Sequence, residues 1–88
     1  MEVKLDDRGR VIEYSFLNRV RKFTYDDELQ NITRKEWIGG TLQWIFIVID
    51  HKNKIAKLVN RGSGEEDITN YERWKDYPDN VIKNKTIE

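Results

Sequence analysis

The sequence predicts an α+β fold, in which a small antiparallel meander sheet of four to six strands carries one C-terminal helix packed on it. The only continuous apolar run, residues 44–49, is rich in β-branched and aromatic side chains, which favour a strand over a helix. The 88-residue chain has a single alanine, Ala56, whereas helix bundles rely on strong helix formers such as alanine and leucine. A capping pattern at residues 63–66 predicts the one helix. The sheet is expected to be open or curled into a barrel-like form.

Residues 44–49 are predicted to form the central strand. Six apolar residues are far fewer than the roughly 18–20 that cross a bilayer, so no membrane association is expected. Alternation directs the side chains to two faces: Trp44, Phe46 and Val48 on one, and Ile45, Ile47 and Ile49 on the other. Both faces then need a cover. We expect the helix on one, and the curled sheet or a second subunit on the other, so a homodimer is predicted, with Trp44 in the core.

The N-terminal half is predicted to be a series of short strands. Residues 3–5 and 11–14 flank Gly9, which suits the tight turn of a hairpin. Residues 10–16 are interpreted as strand, whereas the pattern of residues 17–23 fits either a strand or one face of a helix. Residues 29–38 are predicted to form a polar strand near a sheet edge, where charge discourages pairing with other chains.

The C-terminal half is predicted to hold a partner strand and the helix. Residues 54–59 return as a strand after a turn at residues 50–53. Ser63 and Glu66 form a capping box, and the acidic residues that follow Gly64 suit the positive end of a helix dipole. The helix is expected over residues 64–75 and to end before Pro78. We therefore predict one domain over residues 1–78 and a polar tail over residues 79–88.

The composition bounds the functional classes. The chain has 16 basic and 16 acidic residues, so no overall charge attracts it to nucleic acid or to anionic membranes. It has no cysteine, and its first 20 residues lack an apolar secretory segment, so a cytoplasmic location is expected. Frequent isoleucine, asparagine and lysine suggest a bacterial or viral source.

No residue pattern predicts a catalytic site, a metal site or a cofactor. His51 is the only histidine and lies between turn residues, and the acidic runs lack the spacing of a calcium loop. The glycine pairs do not extend to a phosphate-binding fingerprint. A non-enzymatic protein that needs no cofactor is therefore expected.

The aromatic residues near the C-terminus predict a binding surface. Tryptophan, tyrosine and arginine dominate interface hot spots, and acidic residues at a rim attract a basic partner. The predicted partner-binding residues are Glu65, Glu66, Asp67, Tyr71, Arg73, Trp74 and Tyr77. Tyr77 is expected to be a surface anchor whose removal leaves stability nearly unchanged.

We thus predict a small protein-binding module of the inhibitor, adaptor or immunity-protein type. The alternative is a small β-barrel that binds nucleic acid through a basic, aromatic-lined face. That face would use the basic residues of one acid-free stretch: Lys52, Lys54, Lys57 and Arg61.

Overall fold

The structure, a computed structural model, describes the backbone of residues 1–85 and the side chains of residues 1–82. One antiparallel sheet and two short helices make up this part of the chain. The strands are β1 (Glu2–Leu5), β2 (Val11–Phe16), β3 (Arg19–Asp26), β4 (Asn31–Ile38), β5 (Thr41–Leu42), β6 (Ile45–Asp50), β7 (Ile55–Asn60) and β8 (Glu66–Thr69). The helices are α1 (Tyr71–Trp74) and α2 (Asp79–Lys85).

The sheet is an open meander with the spatial order β1-β2-β3-β4-β6-β7-β8, and β5 pairs with the end of β4. The predicted antiparallel meander is confirmed, but the sheet has eight strands instead of four to six. Two short strands, β5 and β8, account for the difference, since neither was expected. The prediction that the polar strand of residues 29–38 lies near a sheet edge is wrong, because β4 lies between β3 and β6 at the centre of the sheet.

The N-terminal hairpin forms as predicted. Gly9 adopts the left-handed conformation at φ +79°, and Asp6 closes the turn by accepting hydrogen bonds from the amides of Arg8 and Arg10. Residues 17–23, whose pattern fits either a strand or a helix, are mostly strand. A turn at Leu17 and Asn18 leads directly into β3.

The predicted C-terminal helix is present, but its expected span of residues 64–75 is wrong before residue 71, where β8 forms instead. Asn60 Oδ1 accepts the amide hydrogens of Gly62 and Ser63, and its backbone carbonyl accepts that of Gly64. This closed turn sends the chain back along β7, so residues 66–69 pair as β8. The only helical part is α1, which Asn70 caps by accepting the Glu72 amide hydrogen at 3.0 Å. Pairing with β7 therefore overrides the local capping pattern.

One face of the sheet, the covered face, holds the core. Its buried side chains are Val11, Tyr14, Phe23, Ile32, Ile47 and Ile49. The C-terminal segment packs across them through Tyr71, Trp74, Tyr77 and Val81, and Pro78 is fully buried there. The expected polar tail over residues 79–88 therefore begins with α2, and its last three residues lie outside the described part of the chain.

Candidate functional site

The opposite side of the sheet, called the open face below, carries no helix in the described part of the chain, because the C-terminal segment packs on the core side. Alternation along the paired strands places the following side chains on it: Val20, Lys22, Thr33, Lys35, Trp37, Phe46, Val48, Lys57, Val59, Glu66 and Ile68. Its central side chains are half-buried by their own neighbours, and its margins are charged. The open face is therefore a mixed apolar and cationic surface presented on rigid strands.

A cation lies over each of three aromatic rings on this side of the sheet. Lys22 Nζ is 5.1 Å from the centroid of the Trp37 ring, and Lys35 Nζ is 5.2 Å from that of Phe46. The Arg61 guanidinium carbon lies 4.1 Å from the Trp44 ring. Each such contact stabilises an exposed pair by about 0.5–1 kcal/mol. The rings are thereby held in defined positions, with charged groups beside them.

Trp44 is held at the end of the sheet and remains 59% exposed. The expectation that Trp44 belongs to the core is therefore wrong. Its ring rests on Gly62, where an added Cβ would come within 2.8 Å of Cζ3, so only glycine fits beneath it. Arg61 covers the ring and donates from Nε to the carbonyl of Gln43 at 3.2 Å. An exposed but fixed indole of this kind loses little side-chain freedom when a partner covers it.

The predicted acidic residues lie on the β8 edge strand and just before it. Glu65, Glu66 and Asp67 are exposed, and Glu66 pairs with Lys57 at 3.2 Å. Ile68, which lies opposite Lys57 on the open face, is 70% exposed. The structure thus places the acidic triplet beside an unexpected exposed apolar side chain.

The predicted aromatic anchors lie on the other side of the sheet, against the core. Tyr77 packs edge-on against Phe23 at 5.4 Å and Trp74 at 5.4 Å, and Tyr71 donates or accepts a 2.6 Å hydrogen bond with His51 Nδ1. Arg73 is exposed on α1. Glu66 lies on the open face, whereas Asp67 projects from the covered face, as the aromatic residues do. Among the described residues, no hydrogen bond or ion pair joins the acidic triplet to the aromatic residues, and partner binding by the aromatic half stays a prediction.

A buried polar network holds Tyr77 in place. The hydroxyl groups of Tyr77 and Tyr14 are 2.5 Å apart, and Arg34 Nη1 donates to the Tyr77 hydroxyl at 3.1 Å. Arg21 donates from Nη1 to the Tyr14 hydroxyl at 2.7 Å and from Nε to Glu36 Oε2 at 2.6 Å. The network links β2, β3 and β4 to the C-terminal segment.

The network shifts the acid–base properties of its members. Burial, together with the hydrogen bond to Tyr77, raises the pKa of Tyr14 to about 12. Burial opposes ionisation of Glu36, but the hydrogen bond and charge of Arg21, with the charges of Arg34 and Arg19, lower its pKa. Burial also opposes the charge of Arg21, yet hydrogen bonds to Tyr14 and Glu36 raise its pKa. Each shift moves the pKa further from neutral pH, where the tyrosine is neutral and the Arg21–Glu36 pair is ionised.

The four basic residues proposed as nucleic-acid contacts do not form one patch. Lys52 and Lys54 lie in the turn before β7, and Arg61 follows its other end. Six residues of strand separate these ends by about 20 Å. Lys57 lies between them and is paired with Glu66.

His51 borders a shallow pocket of about 290 Å³ at the β3–β4 turn. Two acidic residues also line it, Asp26 and Asp27, but Asp27 is paired with Arg8 at 2.9 Å and with Arg10 at 2.7 Å. Within the described residues, no group of three histidine, cysteine, aspartate or glutamate side chains is arranged to hold a metal ion.

Sequence reasoning missed the ring–cation pairs of the open face and the buried network. Lys22 and Trp37 are 15 positions apart, and Tyr14 and Tyr77 are 63 apart. Strand register brings Lys22 and Trp37 together, and the packing of the C-terminal segment on the sheet brings Tyr77 to Tyr14. For the Trp44–Arg61 pair, the sequence contains one local feature. Gly62 directly follows Arg61, and its lack of a side chain leaves room for the Trp44 ring.

No helix in the described part of the chain is long and apolar enough to cross a membrane. Comparisons with family models, curated proteins and solved structures found no significant match to this chain.

Proposed function

We propose that the protein is a non-catalytic protein-binding module, of the inhibitor, adaptor or immunity-protein type. Its contact surface is the β6–β8 surface, defined by Trp44, Arg61, Glu66 and Ile68. The observation that carries this proposal is the exposure of two large apolar side chains, Trp44 at 59%, just before β6, and Ile68 at 70%, on β8.

The dimensions of the β6–β8 surface fit one interface. Trp44 lies opposite Arg61, and Ile68 lies opposite Lys57. Lys57 and Arg61 are four residues apart along the chain. The two apolar groups are therefore about 13 Å apart along the strands and about 10 Å apart across them. A standard interface covers about 800 Å² of each partner, which is wide enough to include both.

The chemistry of the surface favours a protein partner with an apolar centre and charged rim. Trp44 and Arg61 are residue types that dominate interface hot spots. The acidic residues at positions 65–67 lie at the margin, where charge mainly increases the association rate with a basic partner.

The test compares capture of a partner from the native host by the parent protein and by matched variants. Trp44→Ala and Ile68→Lys alter the β6–β8 surface, whereas Leu29→Lys alters an equally apolar side chain, 52% exposed, in the distant β3–β4 turn. We expect the first two to lose a stoichiometric partner that the control retains. With the purified partner, each should weaken binding by about 1–3 kcal/mol in calorimetry, as for interface hot spots. Equal capture by all variants, with unchanged melting temperatures, would exclude the β6–β8 surface.

Nucleic-acid binding is a second candidate, favoured by the three ring–cation pairs on the open face. Single-stranded nucleic acid stacks its bases on aromatic rings beside cationic groups. The zero net charge and the separated basic residues weigh against it. The test is to titrate the protein into a labelled single strand of nucleic acid at increasing salt concentrations. Binding whose affinity falls steeply with salt, and which the Lys35→Glu variant lacks, would support nucleic-acid binding.

A further inference from the structure

The unpaired edge of β8 has a defined set of outward-facing backbone groups. The Asn60 amide donates to the Glu65 carbonyl at 2.8 Å, so this pair is a hydrogen-bonded pair of the β7–β8 ladder. Hydrogen-bonded pairs alternate along an antiparallel ladder, so Asp67 and Thr69 bond to β7 next. The N–H and C=O groups of Glu66 and Ile68 therefore point away from the sheet.

These outward groups have no strand beside them in the described residues. Over residues 1–85, β8 pairs with β7 alone and ends the sheet. An edge of this kind pairs readily with an extended segment of another chain, whose backbone supplies affinity and whose alternate side chains supply specificity.

We propose that β8 accepts an extended, basic segment of a partner protein as an added strand, a binding mode that rests on the proposed protein-binding function. The charge of the edge selects the partner: residues 64–70 contain three acidic residues and no basic one. Lys57 already balances Glu66, which leaves Glu65 and Asp67 to attract cations.

The register predicts the pattern of the added segment. Ile68 projects from the open face and Asp67 from the covered face. Directly opposed side chains in neighbouring strands interact, so the segment should place an apolar residue beside Ile68 and a basic residue beside Asp67. An alternating basic and apolar sequence satisfies both faces at once.

A second copy of the chain matches this edge poorly. Pairing of β8 with itself would bring two acidic strands together, and the register that opposes Asp67 to Asp67 is destabilising. The other edge strand, β1, carries one basic residue, Lys4, which already pairs with Glu13 at 3.4 Å. A basic segment of a different protein is therefore the occupant.

The test uses a labelled Val-Lys-Val-Lys-Val-Lys-Val peptide and the intact protein. Fluorescence anisotropy should show saturable binding that weakens with salt, and a peptide with glutamate in place of lysine should bind at least about tenfold more weakly. Hydrogen exchange should show new protection of the Glu66 and Ile68 amides. Absence of binding, or protection that maps to another strand, would overturn the proposal.

A pair of variants isolates the backbone contribution. Ile68→Pro removes one outward N–H while the β7 ladder keeps its hydrogen bonds, and Ile68→Val keeps both the N–H and a β-branched side chain. We expect the first to weaken peptide binding about tenfold and the second by about twofold or less. A peptide N-methylated at alternate residues makes the same test if Ile68→Pro fails to fold. Peptide binding that is retained by the Ile68→Pro variant, or by the N-methylated peptide, would overturn strand addition.

The two proposals fail separately. If the peptide does not bind but Trp44→Ala still abolishes capture of the native partner, strand addition is wrong and the protein-binding function stands. If the peptide binds on β8 while capture of the native partner is insensitive to Trp44→Ala and Ile68→Lys, the β8 edge binds basic segments. The proposal that the wider β6–β8 surface binds the partner is then wrong.

Discussion

At the scale of single residues, the hydroxyl group of Tyr77 joins the C-terminal segment to the sheet. It meets the Tyr14 hydroxyl at 2.5 Å and accepts a hydrogen bond from Arg34 at 3.1 Å. Among the described residues, buried Arg34 Nε has no hydrogen-bond partner, and the Tyr77 hydroxyl accepts from Nη1 of the same guanidinium. A group in this position stabilises the fold, and its removal leaves buried donors without acceptors.

We expect Tyr77→Phe to lower the free energy of unfolding by about 1–3 kcal/mol, because it leaves buried polar groups unpaired. Tyr77→Ala should cost more, since the ring contacts with Phe23 and Trp74 are lost as well. Denaturant unfolding measures both. Tyr71→Phe is the control, because it gives up a single hydrogen bond to half-exposed His51. A melting temperature unchanged in Tyr77→Ala would restore the surface-anchor interpretation.

Glu36 makes stability depend on pH at the acid end. Its pKa in the folded protein lies below the ordinary value of 4.5, so its ionised form stabilises the fold above that pH. This contribution is lost as the pH falls below 4.5 and through the folded-state pKa. Glu36→Gln should therefore be less stable at neutral pH, by about 1.5–3 kcal/mol for the weakened hydrogen bond to a charged group, and should lose less additional stability on acidification. Parallel pH profiles for the two proteins would contradict this role.

At the scale of elements, β6 forms the centre of the core. Ile47 and Ile49 are 4% and 1% exposed, and β4 and β7 pair with β6 on either side. The alternate side chains of the same strand lie on the open face, where they are only half-buried. The strand therefore has one face that is buried in the core and one face that is partly exposed to solvent.

Ile47→Lys should destabilise the protein by several kcal/mol, because it places an unpaired charge in the core. Val48→Lys, one position along on the open face, is the matched control and should cost much less. Thermal unfolding followed by circular dichroism measures both variants. Equal losses would mean that the two faces of β6 are equally buried.

At the scale of the whole molecule, the sheet leaves one side without a covering layer in the described residues. The homodimer predicted from the two apolar faces of the central strand would use this open face, since the C-terminal segment already occupies the other. We expect sedimentation equilibrium to show self-association at high micromolar concentration that Phe46→Lys reduces. A parent protein that stays monomeric would remove the dimer and leave the open face to a different partner.

The sequence by itself determined the features that depend on neighbouring residues. The alternation of residues 45–49, the glycine turn at Gly9 and the turn after Asp50 specify strands and hairpins locally, and all are present. The exclusion of a membrane-spanning helix also follows from run length alone.

Tertiary structure decided the features that depend on pairing partners far along the chain. Residues 66–69 carry a helix-capping pattern but become β8, because the turn at Asn60 aligns them with β7 and the ladder stabilises them. The polar strand β4 is central because it pairs with both β3 and β6, and Arg21 neutralises the Glu36 side chain that is buried there. Tyr77 packs against the core and Trp44 lies outside it for a related reason. Burial is set by which face the C-terminal segment covers, and no local pattern contains that choice.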